Sequence, residues 1–200
     1  EYEDEIVHYM RSKYKGYHPD IVYVTDDNAL KFAVDNREKL FPKTNIIFSG
    51  INDHKFADTL PKDSYTGIYE EKEIIPNFKL IKELFPQESN VLLLGDGSST
   101  AKIIQTSVQQ DISMIRGMNV YYVNNQSLDV ILDELKAYPG KNIILTTIGG
   151  FHTKNGDLIP LKEAITKIVN TRNFRIFSLE SSFIQEGVLG GHADDGIAQG

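Results

Sequence analysis

Two hundred residues suffice for one large domain or two small lobes, and a hydrophobic fraction of 40% is enough for a real core. The net charge of −7 leaves no phosphate-neutralising basic stripe, which argues against nucleic acid and equally against an anionic membrane surface. The chain has no cysteine, so disulfides, thiolate nucleophiles and cysteine metal sites are all excluded, and an oxidising compartment is compatible.

In chain order, Tyr2, Ile6, Tyr9 and Met10 line one face of a first predicted helix. A β-branched run at Ile21–Val24 reads as a buried strand and ends in the polar cluster Thr25-Asp26-Asp27-Asn28. Leu30, Val34 and Leu40 then partly line a second helix. A strand at Ile46–Phe48 ends in a second cluster, Gly50-Ile51-Asn52-Asp53, and Thr66–Glu70 reads as a further short strand. Ile74, Phe78, Ile81 and Phe85 line a third helix, closed by the polar turn Phe85-Pro86-Gln87-Glu88-Ser89-Asn90. The strand Val91–Leu94 runs into Gly95-Asp96-Gly97-Ser98-Ser99-Thr100 and a long fourth helix marked by Ala101, Ile104, Val108, Ile112 and Ile115. Val120–Val123 is a strand, and Leu128, Ile131, Leu132 and Leu135 mark a fifth helix. Ile143–Leu145 is a strand ending in Thr146-Thr147-Ile148-Gly149-Gly150-Phe151. Leu161, Ala164, Ile165 and Ile168 mark a sixth helix, and the strand Arg175–Leu179 leads into Glu180-Ser181-Ser182.

Strand alternating with helix implies parallel βα units and a sheet covered on both faces. The alternation restarts after the Pro86–Ser89 turn, which places a crossover there; a second polar stretch, Glu180 to Gly191, would bring the chain back. The expected division is residues 1–87 plus 189–200 in one lobe and 88–188 in the other. No apolar run approaches the roughly 18 residues needed to span a bilayer. The chain opens on a helical pattern with no signal peptide and stops at a glycine, which reads as part of a longer polypeptide.

In parallel α/β sheets ligands bind beyond the carboxyl ends of the strands, where helix N-termini point their N–H groups. Every polar cluster above lies at such an end. Asp26 and Asp27 fit helix capping, although two adjacent carboxylates exceed what one cap needs. Asn52 offers donors and an acceptor, or is a plain loop residue. The Gly95–Thr100 segment could cradle a carboxylate, a phosphate or a sugar hydroxyl. It fails as a dinucleotide fingerprint: Thr100 stands where a third glycine belongs, and Asn124-Asn125 where an acid belongs. It fails as an NTPase phosphate loop because Lys102 follows Ala101. Phe151 could stack on a ligand or cover a core edge. Glu180 could orient a ligand hydroxyl or amine, or be solvated. None of the five histidines has metal-ligand spacing, and no Gly-x-Ser-x-Gly elbow exposes a serine. The acids Asp26, Asp27 and Asp96 suggest a receiver domain, but the alternation continues past five strands. Many polar groups with no activated base or nucleophile fit binding better than catalysis. No cofactor and no metal are expected.

The segment from Asp20 to Asp53, "DIVYVTDDNALKFAVDNREKLFPKTNIIFSGIND", resembles the ABC-transporter substrate-binding-like, type I periplasmic-binding-protein group. It is especially similar to versions that form the extracytoplasmic sensors of bacterial histidine kinases and diguanylate cyclases. "YTGIYEEKEI", "NVLLLGDGSSTAK", "TTIGGFHTKNGDLIPLKEAI" and "GVLGGHADDGIAQG" continue the register over nearly the whole chain. The resemblance implies two doubly wound, Rossmann-like parallel-sheet lobes closing on a small molecule at a hinge cleft. It also implies that a first βα unit and a C-terminal helix lie outside this chain. Asp27, Asn28 and Asn52 would supply one wall of the cleft, and Asp96, Ser98, Ser99, Thr100 and Phe151 the other; Glu180 and Ser181 complete the candidate set. The implied function is a non-enzymatic ligand-sensing domain outside the cytoplasmic membrane, tethered to it by segments beyond this chain. Its partner would be a small polar metabolite such as an amino acid or sugar-like compound, with homodimerisation through the parent protein. An ABC-importer solute-binding protein and a small-molecule enzyme on a doubly wound fold are the alternatives. Ala101, where relatives often carry glycine, puts tight phosphate-like contact in doubt, and His192 stands where relatives often carry an apolar residue.

Overall fold

The computed structural model describes residues 2–70, 72–112, 115–147 and 149–193. The chain divides into two compact units, one up to residue 71 and one from Lys72 onward.

The first unit runs α1 (Tyr2–Lys13), β1 (Ile21–Thr25), α2 (Asp27–Asp35), α3 (Arg37–Leu40), β2 (Asn45–Ile51), α4 (His54–Asp58) and β3 (Tyr65–Tyr69). The strands form a parallel sheet in the order β1-β2-β3. The helix expected over Leu30 to Leu40 is broken at Asn36. Its side-chain amide donates to the Phe32 carbonyl at 3.0 Å and to Glu3 Oε1 at 2.8 Å, tying α1 to the break. An asparagine that bonds its own helix backbone in this way competes with helix continuation.

Ile46, Phe48 and Tyr65 face Leu30, Ala33, Phe41 and Ala57 in one core. The register pairs Tyr23 with Ile47 and Ile47 with Thr66, so alternate residues share the opposite face. On that face Ile21, Tyr23 and Ile68 are 55%, 61% and 58% exposed. Among the described residues of this unit, α1, α2 and α4 all contribute to one core on one face of the sheet.

The second unit runs α5 (Ile75–Leu84), β4 (Asn90–Gly95), α6 (Ser99–Asp111), β5 (Asn119–Asn124), α7 (Leu128–Ala137), β6 (Asn142–Thr147), β7 (Phe151–His152), β8 (Leu158–Ile159), α8 (Leu161–Arg172), β9 (Arg175–Ser178) and a 3-10 turn at Ser181–Glu186. β5-β4-β6-β9 is a four-stranded parallel sheet, and β7 and β8 pair as an antiparallel hairpin. Successive residues of β4 and β6 alternate between two cores. Leu92, Leu94, Ile143 and Leu145 pack with α7 and α8, whereas Val91, Leu93 and Ile144 pack with α5 and α6. This sheet is covered on both faces, as a doubly wound unit requires. Each fully buried leucine or isoleucine contributes about 1.5–3 kcal/mol.

Two features move the expected boundary. Helix α5 buries Phe78 and Ile81, and Ile74 just before it is buried with them, against β4, β6 and β9 side chains, so the turn at Pro86–Ser89 is an internal αβ loop and the division falls at residues 71/72 instead. The returning chain also stays with the second unit: the Leu189 N–H donates to Ile176 O at 2.8 Å, and the Ser178 N–H to Gly190 O at 3.0 Å. A Cβ at Gly191, whose φ is 153°, would stand 2.4 Å from Ser178 O, so only glycine fits there. Asn77 then grips His192 reciprocally, Nδ2 donating to its carbonyl at 2.8 Å and Oδ1 accepting its N–H at 2.9 Å. Residues 194–200, the end of the last quoted motif, lie outside the described residues.

Candidate functional site

At the strand tips of the first unit, Asp26 occupies φ 77°, a conformation costly for a side-chain-bearing residue. Its N–H donates to Ser49 O at 3.0 Å, and its carboxylate accepts the Asp27 N–H at 2.7 Å, capping α2. Asp27, the first residue of α2, reaches across to the loop after β2. Its Oδ1 accepts the N–H groups of Asn52 at 3.1 Å and Asp53 at 2.9 Å. Its Oδ2 is buried without a hydrogen-bond partner. Burial raises the Asp27 carboxyl above its ordinary value, against the two N–H bonds that pull it down. Asn52 Nδ2 donates to Glu70 Oε2 at 3.1 Å, and His54 Nε2 lies 3.1 Å from Glu70 O. Asp27, Asn52 and Glu70 thus link the tips of β1, β2 and β3. Asn28 stands exposed on the first turn of α2, and Asp53 caps α4 by accepting the Phe56 N–H at 3.0 Å.

In the second unit Asp96 is buried at the tip of β4. Its Oδ1 accepts the Ser98 N–H at 3.0 Å and its Oδ2 the Gly149 N–H at 2.5 Å, clamping the β4 and β6 tips together. Gly97 has φ 77°, and a Cβ there would meet Gln126 N at 2.8 Å; its N–H donates to Asn124 Oδ1 at 2.6 Å. Asn124 in turn donates through Nδ2 to Gln105 Oε1 at 3.3 Å, so the end of β5 joins the cluster. Ser98 caps α6, accepting the Ala101 N–H at 3.1 Å. Ser99 is exposed and Thr100 half-buried on the first turn of that helix, where the dipole favours an anionic or hydroxyl-bearing group.

Two candidates sit differently from expectation. The Phe151 ring is 0% exposed and packed among Leu94, Val123, Leu128 and Ile159. It fills the core and offers no face for stacking in this arrangement. Glu180 is not simply solvated: its Oε1 pairs with Lys72 Nζ at 2.6 Å, and the lysine side chain is only 6% exposed. Ser181 lies exposed at the start of the 3-10 turn. Ile148, within the fourth cluster, lies outside the described residues.

Glu70, Asn124, Lys72 and the Gly149 N–H were not singled out from sequence as site components. Glu70 and Asn124 each follow or end a strand, so the strand-tip rule applied evenly would have found both. Lys72 and Gly149 act through pairings distant in sequence, which one sequence does not display. Among the described residues, no group of three or more His, Asp or Glu side chains is placed to hold a metal. Nor does any serine or threonine hydroxyl there bond a histidine ring: His54 meets a backbone carbonyl and His192 meets Glu73 at 2.7 Å. The arrangement presents oriented donors and acceptors.

No protein-family model matches the chain, and no curated protein matches it. Solved structures do. A conserved domain protein from Vibrio cholerae O1 biovar El Tor aligns with TM-score 0.64 and 14% identity over 94% of this chain and 63% of its own. An ABC domain from Streptococcus pneumoniae, solved in complex with L-Trp, aligns with TM-score 0.61 and 16% identity over 94% and 63%. A ligand-free, open substrate-binding protein with adhesive properties from Clostridium difficile aligns with TM-score 0.56 and 13% identity over 94% and 62%. The chain therefore shares the α/β, parallel-sheet fold of these structures, and it spans less than two thirds of the length of each of them.

Proposed function

We propose that the chain is a ligand-binding domain for a small polar metabolite, working outside the cytoplasmic membrane as the sensor of a membrane signalling protein such as a histidine kinase. One observation carries the reading. In both units the tips of parallel strands end in interlinked polar side chains beside the start of a helix, α2 in one and α6 in the other. That is where open α/β sheets take ligands, and structures of this fold include one solved with L-Trp. Asn28, Ser99 and Ser181 are left facing solvent with Thr100 half-buried beside Ser99, while Asp27, Asn52, Asp96, Ser98 and Glu180 are held in hydrogen bonds or ion pairs at their own strand tips. Ligand binding would shift the balance of two conformations by its differential contacts, and that shift would be the signal.

A second reading, a solute-binding protein delivering cargo to an importer, is favoured by the substrate-binding neighbour. The full-length gene separates the two: a transmembrane helix followed by a kinase or cyclase module marks the sensor. A thermal-shift screen against amino acids, sugars, nucleosides and dicarboxylates tests the shared part. A true ligand at 100 times its Kd stabilises by about 2.7 kcal/mol. Ser99→Ala and Asn28→Ala should weaken the shift while leaving the unliganded melting temperature within about 1 °C, since both are surface positions. An unaltered shift in both variants would show that the strand tips do not hold the ligand.

A further inference from the structure

The opposite, N-terminal edge of the second sheet carries a row of polar residues that ligand binding at the strand tips does not use. Asn90, Asn119 and Asn142 each open a strand, and Arg175 opens β9 beside Asn142. Asn119 and Asn90 satisfy each other in an exposed pair, Nδ2 donating to Oδ1 at 3.0 Å. Asn142 is 0% exposed, and neither its Nδ2 nor its Oδ1 has a hydrogen-bond partner. Its register neighbour Arg175 has a buried Nε that is equally unpartnered. The rest of that guanidinium is engaged: it bonds Glu88 at 2.9 Å and lies 3.8 Å from the Phe85 ring centre.

Strand alternation places both side chains on one face. Asn142 shares the face of Ile144 and Arg175 that of Phe177, and Ile144 and Phe177 belong to one core. A buried amide without partners is costly, and native proteins satisfy nearly all such groups. Tyr138, whose hydroxyl donates to the Asn142 backbone carbonyl at 2.9 Å, belongs to the core on the other face of the sheet.

We infer that an ordered water molecule is built into this edge, accepting from Arg175 Nε and donating to Asn142 Oδ1. Water supplies donors and acceptors at once, which the pair of a guanidinium N–H and an amide carbonyl requires. A cation would face the guanidinium, and an anion would face Glu88. The Asn142 amide and Arg175 Nε are buried polar groups, the kind that internal waters satisfy.

The sign of one stability change decides it. With the water in place, Asn142→Leu removes its acceptor and strands the Arg175 Nε, lowering the melting temperature by roughly 3 °C or more. Without it, Leu relieves an unsatisfied amide at similar volume and the melting temperature rises, which overturns the inference. A crystal structure of the unaltered chain at about 1.5 Å supplies the independent arm should the variant fail to fold. Density bridging Asn142 and Arg175 Nε supports the water; direct protein partners for both groups refute it. Neither result bears on ligand binding at the strand tips.

Discussion

Asp27 holds one carboxylate oxygen against two backbone N–H groups and keeps the other buried and unpartnered. The two halves of the group pull its proton affinity in opposite directions, and burial wins. Its folded-state affinity lies above that of the unfolded chain, whose value is ordinary, near 3.8. Between those two values the folded state binds the proton that the unfolded state releases. Stability from this group is therefore full at low pH and falls as pH rises from the ordinary carboxylate value through the raised one. Asp27→Asn keeps an acceptor for the loop N–H groups and removes the titration. Its melting temperature relative to the parent should improve steadily from pH 3 to pH 7; a flat difference would show that Asp27 ionises as an ordinary surface carboxylate. The same residue shows what a single sequence reveals. The cluster Thr25–Asn28 was legible as a strand-tip feature, but the carboxylate's work of holding the β2 loop was not. Its partners lie 25 and 26 residues away. Phe151 left two readings open in sequence, stacking on a ligand or covering a core edge, and the β7–β8 hairpin folds it into the core.

Seven of the strands were legible because each is a short apolar run, mostly β-branched or aromatic, bounded by turn residues, and the six longer helical segments because their apolar spacing persists over two turns or more. What escaped were pieces too short to show a period: α4, the two-residue strands of the β7–β8 hairpin, and the 3-10 turn. Asn36 escaped as a break because asparagine inside a helical pattern is not by itself a stop. The two faces of the first sheet also look alike in sequence, with Ile46 and Ile68 both set in apolar strands. The fold separates them completely, since Ile46 is 0% exposed and Ile68 is 58% exposed. Ile46→Ala should cost about 2–5 kcal/mol by opening a cavity among Leu30, Phe41 and Phe48. Ile68→Lys should stay within about 0.5 kcal/mol. Equal losses in chemical denaturation would mean that the outer face of this sheet is packed in solution.

The two units differ in how completely each encloses its own apolar surface. The second has a four-stranded sheet with a core on each face, helices α5 and α6 over one and α7 and α8 over the other. Its return segment is also fastened from within, by Leu189 and Gly190 along β9 and by Asn77 on His192. The first has three strands, one core and an apolar outer face open to solvent. Burial fraction falls with chain length, and small units with one thin core are marginal by themselves. The sequence could not announce this asymmetry, because the crossover signal at Pro86 is the same kind of polar turn as any αβ loop. A fragment beginning at Lys72 should therefore fold alone, with a cooperative thermal transition, dispersed amide resonances and slow hydrogen exchange along β4 and β6. A fragment ending at residue 71 should give a broad, weakly cooperative melt and bind a hydrophobic dye, as an expanded state does. Cooperative unfolding of the short fragment, or collapse of the long one, would show that stability does not follow the enclosure of these cores.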